Sequence, residues 1–285
     1  MQTETVITLP IGDTTLVASA SSSVGSVRSV NEDSFLTTAP LFVVADGMGG
    51  HARGDRASQT VVAVLRDMLP EGVVPRPADV LAAITAANKA VRALMGDDGR
   101  PVLSGTTLVG MVIVRSPAGD GCHWMGFNIG DSRLYSWNGR TLDQVSVDHS
   151  AVQEMVDAGS LTPAAARSHP GRNVITRAVG ADDTVDADVW LLPLRGAQTF
   201  LLCSDGLTTE LDDDTIAGLL AGHGGDGPDI SIADALVAAA DTAGGRDNIT
   251  VVVVDSSVAG ARPNDENTTE RSLSAASLED TQPRI

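Results

Sequence analysis

Apolar residues fall into two rhythms along this chain. Residues 41–45 form a short unbroken apolar run, the mark of a buried strand. The run stops at Asp46-Gly47-Met48-Gly49-Gly50, where glycine permits a sharp turn. From residue 55 to 69 the spacing becomes helical, with Ala57, Val61, Val64, Leu65 and Met68 on one face. Pro75 and Pro77 break the chain, and residues 78–94 read as a second helix. β-Branched runs at 106–114 and 122–129 predict strands. Asn138-Gly139 is a hairpin signal between apolar stretches at 134–137 and 141–142. Residues 149–172 are short helical pieces punctuated by Gly159, Pro163 and Pro170, and read as an inserted surface segment. Strands return at 185–192 and 199–203, the latter ending at Asp205-Gly206 in an echo of Asp46-Gly47. Helices are expected at about 213–221 and 231–243, and a last strand at 249–254, entered from Asp247-Asn248.

The two ends are less patterned. Residues 1–16 are an irregular lead-in or a first strand, and the Ser- and Val-rich stretch 17–35 ends in Asn31-Glu32-Asp33. From Ser256 onward the chain turns polar and poor in large apolar residues, which predicts disorder. The expected division is a folded domain over residues 1–255 and a Ser/Thr-rich acidic tail over 256–285. Strands, two helices, several strands, two helices and a final strand suggest the α+β class, with sheets at the core and paired helices outside.

Composition narrows the function. Hydrophobic residues make up 42% of the 285, enough for a full core, but aromatics only 3%, so Val, Leu, Ile and Ala must do the packing. A formal charge of −18 excludes a phosphate-backbone ligand such as DNA or RNA, and a polybasic membrane patch. The acidity reads either as a solvated surface or as carboxylates reserved for cations. Cys122 and Cys203 lack zinc-site spacing and are too few for a disulfide framework, so buried reduced thiols are expected. No run approaches the ~20 apolar residues of a membrane span. No secretory signal is visible, and a cytoplasmic location is the expectation.

Asp46, Asp205 and Asp247 each stand at the edge of an apolar strand, and Asp131 follows the strand ending in Asn128-Ile129-Gly130. Most single Asp-Gly pairs only mark turns. Several carboxylates gathered at strand ends repel one another unless cations neutralise them, and hard oxygen ligands suit Mg²⁺ or Mn²⁺. Two such ions about 3.5–4 Å apart can clamp a phosphoryl group for in-line attack. Arg28, three residues before Asn31, is placed to grip phosphate oxygens with its planar fork; the alternative is a surface ion pair.

Six motifs occur in order: Val27-Arg28-Ser29-Val30-Asn31-Glu32-Asp33, Val44-Ala45-Asp46-Gly47-Met48-Gly49-Gly50-His51, Ser104-Gly105-Thr106-Thr107, Ile129-Gly130-Asp131-Ser132-Arg133, Leu202-Cys203-Ser204-Asp205-Gly206-Leu207 and Asp247-Asn248-Ile249-Thr250. Together they resemble the type 2C, metal-dependent serine/threonine protein phosphatases in their bacterial form, over roughly residues 15–255. The resemblance implies a β-sandwich of two antiparallel sheets flanked by helix pairs, with a flap insert beside a cleft. It implies a binuclear Mg²⁺ or Mn²⁺ centre whose hydroxide attacks phosphoserine or phosphothreonine, with room for a third ion.

By this resemblance Asp46 bridges the two ions, the Gly47 carbonyl binds one, and Asp205 and Asp247 bind the other. Glu32 and Asp33 act through metal-bound water, Arg28 holds the substrate phosphate, and Asp131 with Asp205 forms the third, weaker site. Met48 departs from the animal pattern, in which a histidine proposed as general acid follows Asp-Gly. His51 is the nearest candidate here, with a turn histidine or a water donor as alternatives. Ser104 stands where relatives often carry methionine. Residues 148–179, with His149, His169, Arg172 and Arg177, correspond to the flap. The implied partners are phosphorylated proteins and an opposing Ser/Thr kinase, for a monomer without membrane span or nucleic acid. A catalytically silent scaffold or sensor is the alternative, and intact carboxylates speak against it. The sigma-factor-regulator branch commonly lacks the arginine motif and the flap, both present here.

Overall fold

The strand β4 (Leu41–Gly49) shows how the apolar runs are used. Successive side chains on a strand point to opposite faces. Phe42 and Val44 pack into one apolar layer, while Leu41, Val43 and Ala45 pack into another. An unbroken apolar run is what a strand buried on both faces requires. The computed structural model describes residues 2–9, 12–49, 54–94, 104–116, 119, 121–223 and 230–258.

Two antiparallel sheets stack face to face. The first runs in the order β1 (Gln2–Leu9), β2 (Gly12–Ser23), β12 (Ile249–Val258), β11 (Ala197–Cys203), β8 (Arg133–Trp137), β9 (Leu142–Gln144). The second runs β10 (Asp188–Pro193), β7 (Cys122–Ile129), β6 (Leu108–Arg115), β4, β3 (Asp33–Thr38), with β5 (Ser104–Thr106) pairing the far end of β4. Between the sheets lie Leu16, Met111, Trp124, Leu134, Phe200 and Val252 among others. On the outer face of the second sheet pack α1 (Gly54–Met68) and α2 (Pro77–Arg92), through Val61, Leu65, Ile84 and Val91. On the outer face of the first pack α5 (Asp205–Glu210), α6 (Asp213–Gly222) and α7 (Ile232–Ala243), through Leu207, Ile216 and Leu236. The result is the expected α+β sandwich with helices outside.

Several sequence expectations are corrected. β4 does not stop at Asp46-Gly47; it continues to Gly49 because β5 pairs Gly47 with Thr106 and Gly49 with Ser104. The apolar run 106–114 is two strands, parted at Thr107. Of the two readings of residues 1–16, the first strand is the one found: Gln2–Leu9 is β1, and it pairs antiparallel with the start of β2. Asp205 opens the unforeseen short helix α5. β12 runs to Val258, three residues past the boundary drawn from composition, and the tail beyond it lies outside the described residues. Segment 149–172 does contain two short helices, α3 (Ala151–Asp157) and α4 (Pro163–Ala166), capped by Ser150 and Thr162. Both cysteines are buried and free, as expected.

Candidate active site

Continuing the alternation of β4 past Phe42 and Val44 carries Asp46 to the inter-sheet face, at one end of the sandwich. Asp33 is its direct cross-strand partner in β3. The opposite sheet answers at the same end. Ser204, just beyond β11, donates its hydroxyl to Asp33 Oδ2 at 2.8 Å and accepts from the Thr250 backbone N–H at 2.9 Å. Asp46 is held through its backbone. Its N–H donates to Thr107 Oγ1 at 2.9 Å, and its carbonyl accepts from the Thr107 N–H and the Thr106 hydroxyl, both at 2.8 Å. The strand break at Thr107 therefore has a function: it turns both threonines onto Asp46.

The other carboxylates arrive from separate elements. Asp205 is the first residue of α5, Asp247 immediately precedes Asn248 at the entry to β12, and Asp131 follows β7 by one glycine. Gly130, at φ 104°, makes that last turn; a Cβ there would lie 2.8 Å from the Thr107 Cβ. Gly47 is required by close approach, since a Cβ would meet the Gly54 carbonyl oxygen at 2.1 Å and that of Glu32 at 2.6 Å. Glu32 sends Oε1 to the Gly54 N–H at 2.9 Å, at the start of α1. Arg28, half-exposed on the loop before β3, donates to Asp247 Oδ2 at 2.8 Å.

The electrostatics are those of anions gathered without enough counter-charge. Burial, then the charges of Asp33, Asp205, Asp131 and Asp247, hold the Asp46 carboxyl well above the usual range. Burial above all pushes Asp33 up to about 7 and Asp131 up to about 8. Asp205 is raised by burial and by Asp247. Arg28 is raised, chiefly by its hydrogen bond to Asp247.

Among the described residues no three acid, histidine or cysteine side chains close into a finished cage for an ion. Each carboxylate instead leans on a protein partner or on its neighbour. Two buried oxygens, Asp33 Oδ1 and Asp131 Oδ1, have no hydrogen-bond partner. Orphaned anionic oxygens at a cluster of carboxylates fit hard divalent cations and their waters.

The Protein phosphatase 2C family model matches residues 23–222. The chain belongs to the protein phosphatase 2C family. It is 38% identical to the serine/threonine protein phosphatase PstP of Mycobacterium tuberculosis over 235 residues, which is 81% of this chain but 43% of PstP. It therefore spans less than half the length of that relative. It is 32% identical to the serine/threonine phosphatase stp of Listeria monocytogenes over 242 residues, 81% of this chain and 92% of the relative. A crystal structure of M. tuberculosis PstP/Ppp superposes with a TM-score of 0.73 at 37% identity, covering 84% of this chain and 98% of that one. The PstP catalytic domain in complex with two manganese ions gives 0.70 at 34% identity, covering 86% and 99%.

In this phosphatase 2C domain, Asp46, Asp205, Asp247, Asp131, Asp33, Glu32, Gly47 and Arg28 all gather at one end of the sandwich. His51 lies outside the described residues. Met48 is half-buried in β4. Segment 148–179 is tied down at both ends. The His149 N–H donates to the Gly130 carbonyl at 3.0 Å, and Val179 exchanges two backbone hydrogen bonds with Thr106. His169 accepts from the Gly171 N–H, and Arg177 pairs with Asp188 at 2.7 Å. Three supporting residues went unrecognised as such: Ser204, Thr107 and Asn248. Asn248 donates to the Val24 and Val30 carbonyls at 3.0 Å and accepts from the Glu32 N–H at 2.8 Å. Each lies inside one of the six motifs: Ser204 and Asn248 next to Asp205 and Asp247, and Thr107 in Ser104-Gly105-Thr106-Thr107, the one motif without an acidic residue.

Proposed function

We propose that this chain hydrolyses phosphoserine and phosphothreonine on proteins, with two Mn²⁺ or Mg²⁺ ions held by Asp46, the Gly47 carbonyl, Asp205 and Asp247. The observation that supports it most is the convergence of Asp33, Asp46, Asp131, Asp205 and Asp247 on one another, with burial raising four of them. The chemistry such an ion pair supplies is a water activated at neutral pH and an offset to phosphoryl charge.

The residues of the chain divide the remaining work. Arg28 grips the phosphate oxygens, a task suited to its fork and to its exposed place beside Asp247. Asp33 orients water through its free Oδ1 while Ser204 fixes Oδ2. Glu32 does the same from the start of α1. Asp131, with Asp205, holds a third and weaker ion. Met48 has no proton to give, so protonation of the leaving oxygen falls to His51 or to water. Segment 148–179 borders the site as a flap. The same reading makes residues 1–255, with the last three residues of β12, the catalytic domain. It makes the protein a cytoplasmic monomer opposing a Ser/Thr kinase. Among the described residues no helix is long and apolar enough to cross a membrane.

Mn²⁺-dependent release of phosphate from a phosphothreonine peptide tests the proposal. Folded protein without metal-stimulated turnover would contradict it and favour a silent scaffold.

A further inference from the structure

The loop between β2 and β3 carries Arg28 and three valines that face solvent: Val24 is 38% exposed, Val27 70% and Val30 40%. Its backbone is not loose. The Ser26 N–H donates to the Gly245 carbonyl at 2.6 Å, and Asn248 holds the Val24 and Val30 carbonyls. Gly25, at φ 76°, lies so close to the neighbouring segment that a Cβ would stand 2.2 Å from the Asp247 carbonyl oxygen. Apolar side chains on a fixed backbone form a contact that costs little ordering when it is covered. Residues 24–30 contain no charge other than Arg28.

We infer that Val27, flanked by Val24 and Val30, is a specificity-determining contact that packs against an aliphatic side chain next to the phosphorylated residue of the substrate. The inference rests on the proposed phosphatase activity. Whatever brings a phosphoryl group to Arg28 must pass its neighbouring residues over this loop. Consecutive Cα atoms are about 3.8 Å apart, so a substrate residue one or two positions from the phosphate reaches Val27. Exposed valines on a segment whose only charge is Arg28, itself taken up by the phosphate and Asp247, make an uncharged apolar side chain the match for Val27.

Two phosphothreonine peptides of equal length and charge test this, one with leucine and one with glycine on both sides of the phosphoresidue. Hydrolysis by the Mn²⁺-loaded full chain should favour the leucine peptide in kcat/KM by about tenfold, through KM. Val27→Ser, and the near-isosteric Val27→Thr, should remove most of that preference. Equal rates on the two peptides overturn the inference, and so does a preference that survives both substitutions. A dimer in sedimentation that dissociates on Val27→Ser also overturns it, by showing a second copy as the occupant. Wild-type protein that hydrolyses neither peptide nor p-nitrophenyl phosphate overturns instead the phosphatase reading beneath it.

Discussion

Asp33 and Asp46 stand directly opposite one another on the β3–β4 ladder. Like charges in that relation destabilise a sheet, and here Asp33 is buried and Asp46 half-buried. The arrangement is tolerable only with protons or cations on the oxygens. Its stability should therefore depend on pH in an unusual direction.

Asp33 and Asp131 rise from the ordinary value of 3.8 to about 7 and about 8 on folding. Between those limits the folded protein holds protons that the unfolded chain has released, so stability falls as pH rises. Asp79, lowered to about 2, contributes a loss only below the ordinary carboxylate range and so acts outside this window. Metal-free protein should melt at a lower temperature at about pH 8.5 than at about pH 5.5. Mn²⁺ should reverse the trend, with its largest gain at the higher pH, because cations compete with protons for the same oxygens. Scanning calorimetry with and without chelator reads both effects. A melting temperature that climbs steadily across the window in chelator would show that the cluster is not strained.

Arg28 donates to Asp247 Oδ2 and leaves half of its side chain open to solvent. Arg28→Ala should raise KM for a phosphothreonine peptide about tenfold or more, with a smaller change in kcat. Arg28→Lys should recover little of this, since a point charge lacks the planar fork. Steady-state kinetics on the two variants decide it. A collapse of kcat at unchanged KM would place Arg28 in the chemical step instead.

Asn248 is buried and makes three hydrogen bonds to the backbone of the Arg28 loop. Asn248→Ala leaves two carbonyls and one N–H without their partner, at a cost of about 2–4 kcal/mol. Urea unfolding should show that loss, and KM should rise as the loop loosens. Asn248→Asp, which sets a carboxylate oxygen against the same two carbonyls beside Asp247, should cost at least as much at neutral pH.

The sandwich was legible because β4, β7 and β11 are apolar enough to be buried on both faces, and α1, α6 and α7 carry a plain helical or capped pattern. Asp46 sits where its sequence suggests, for a different reason. Gly47 and Gly49 lack side chains to extend the apolar rhythm, so the pattern ends at Asp46, yet β5 keeps the strand going. α5 was missed since six residues after Cys203 are too few to show a period. The cross-strand facing of Asp33 and Asp46 depends on register, which a single strand's pattern does not disclose. Ser204, Thr107 and Asn248 act by hydrogen bonds between elements distant in sequence, so nothing local marks them.

Calorimetric titration of the metal-free protein with Mn²⁺, set beside Asp46→Asn, tests the carboxylate cluster most directly. The expected result is saturable binding of two or more ions per wild-type chain. In the variant, which circular dichroism should show folded, affinity should drop by about tenfold or more at the tightest sites. Identical binding in the two proteins, or no saturable binding in the folded wild type, would contradict a metal centre built on Asp46.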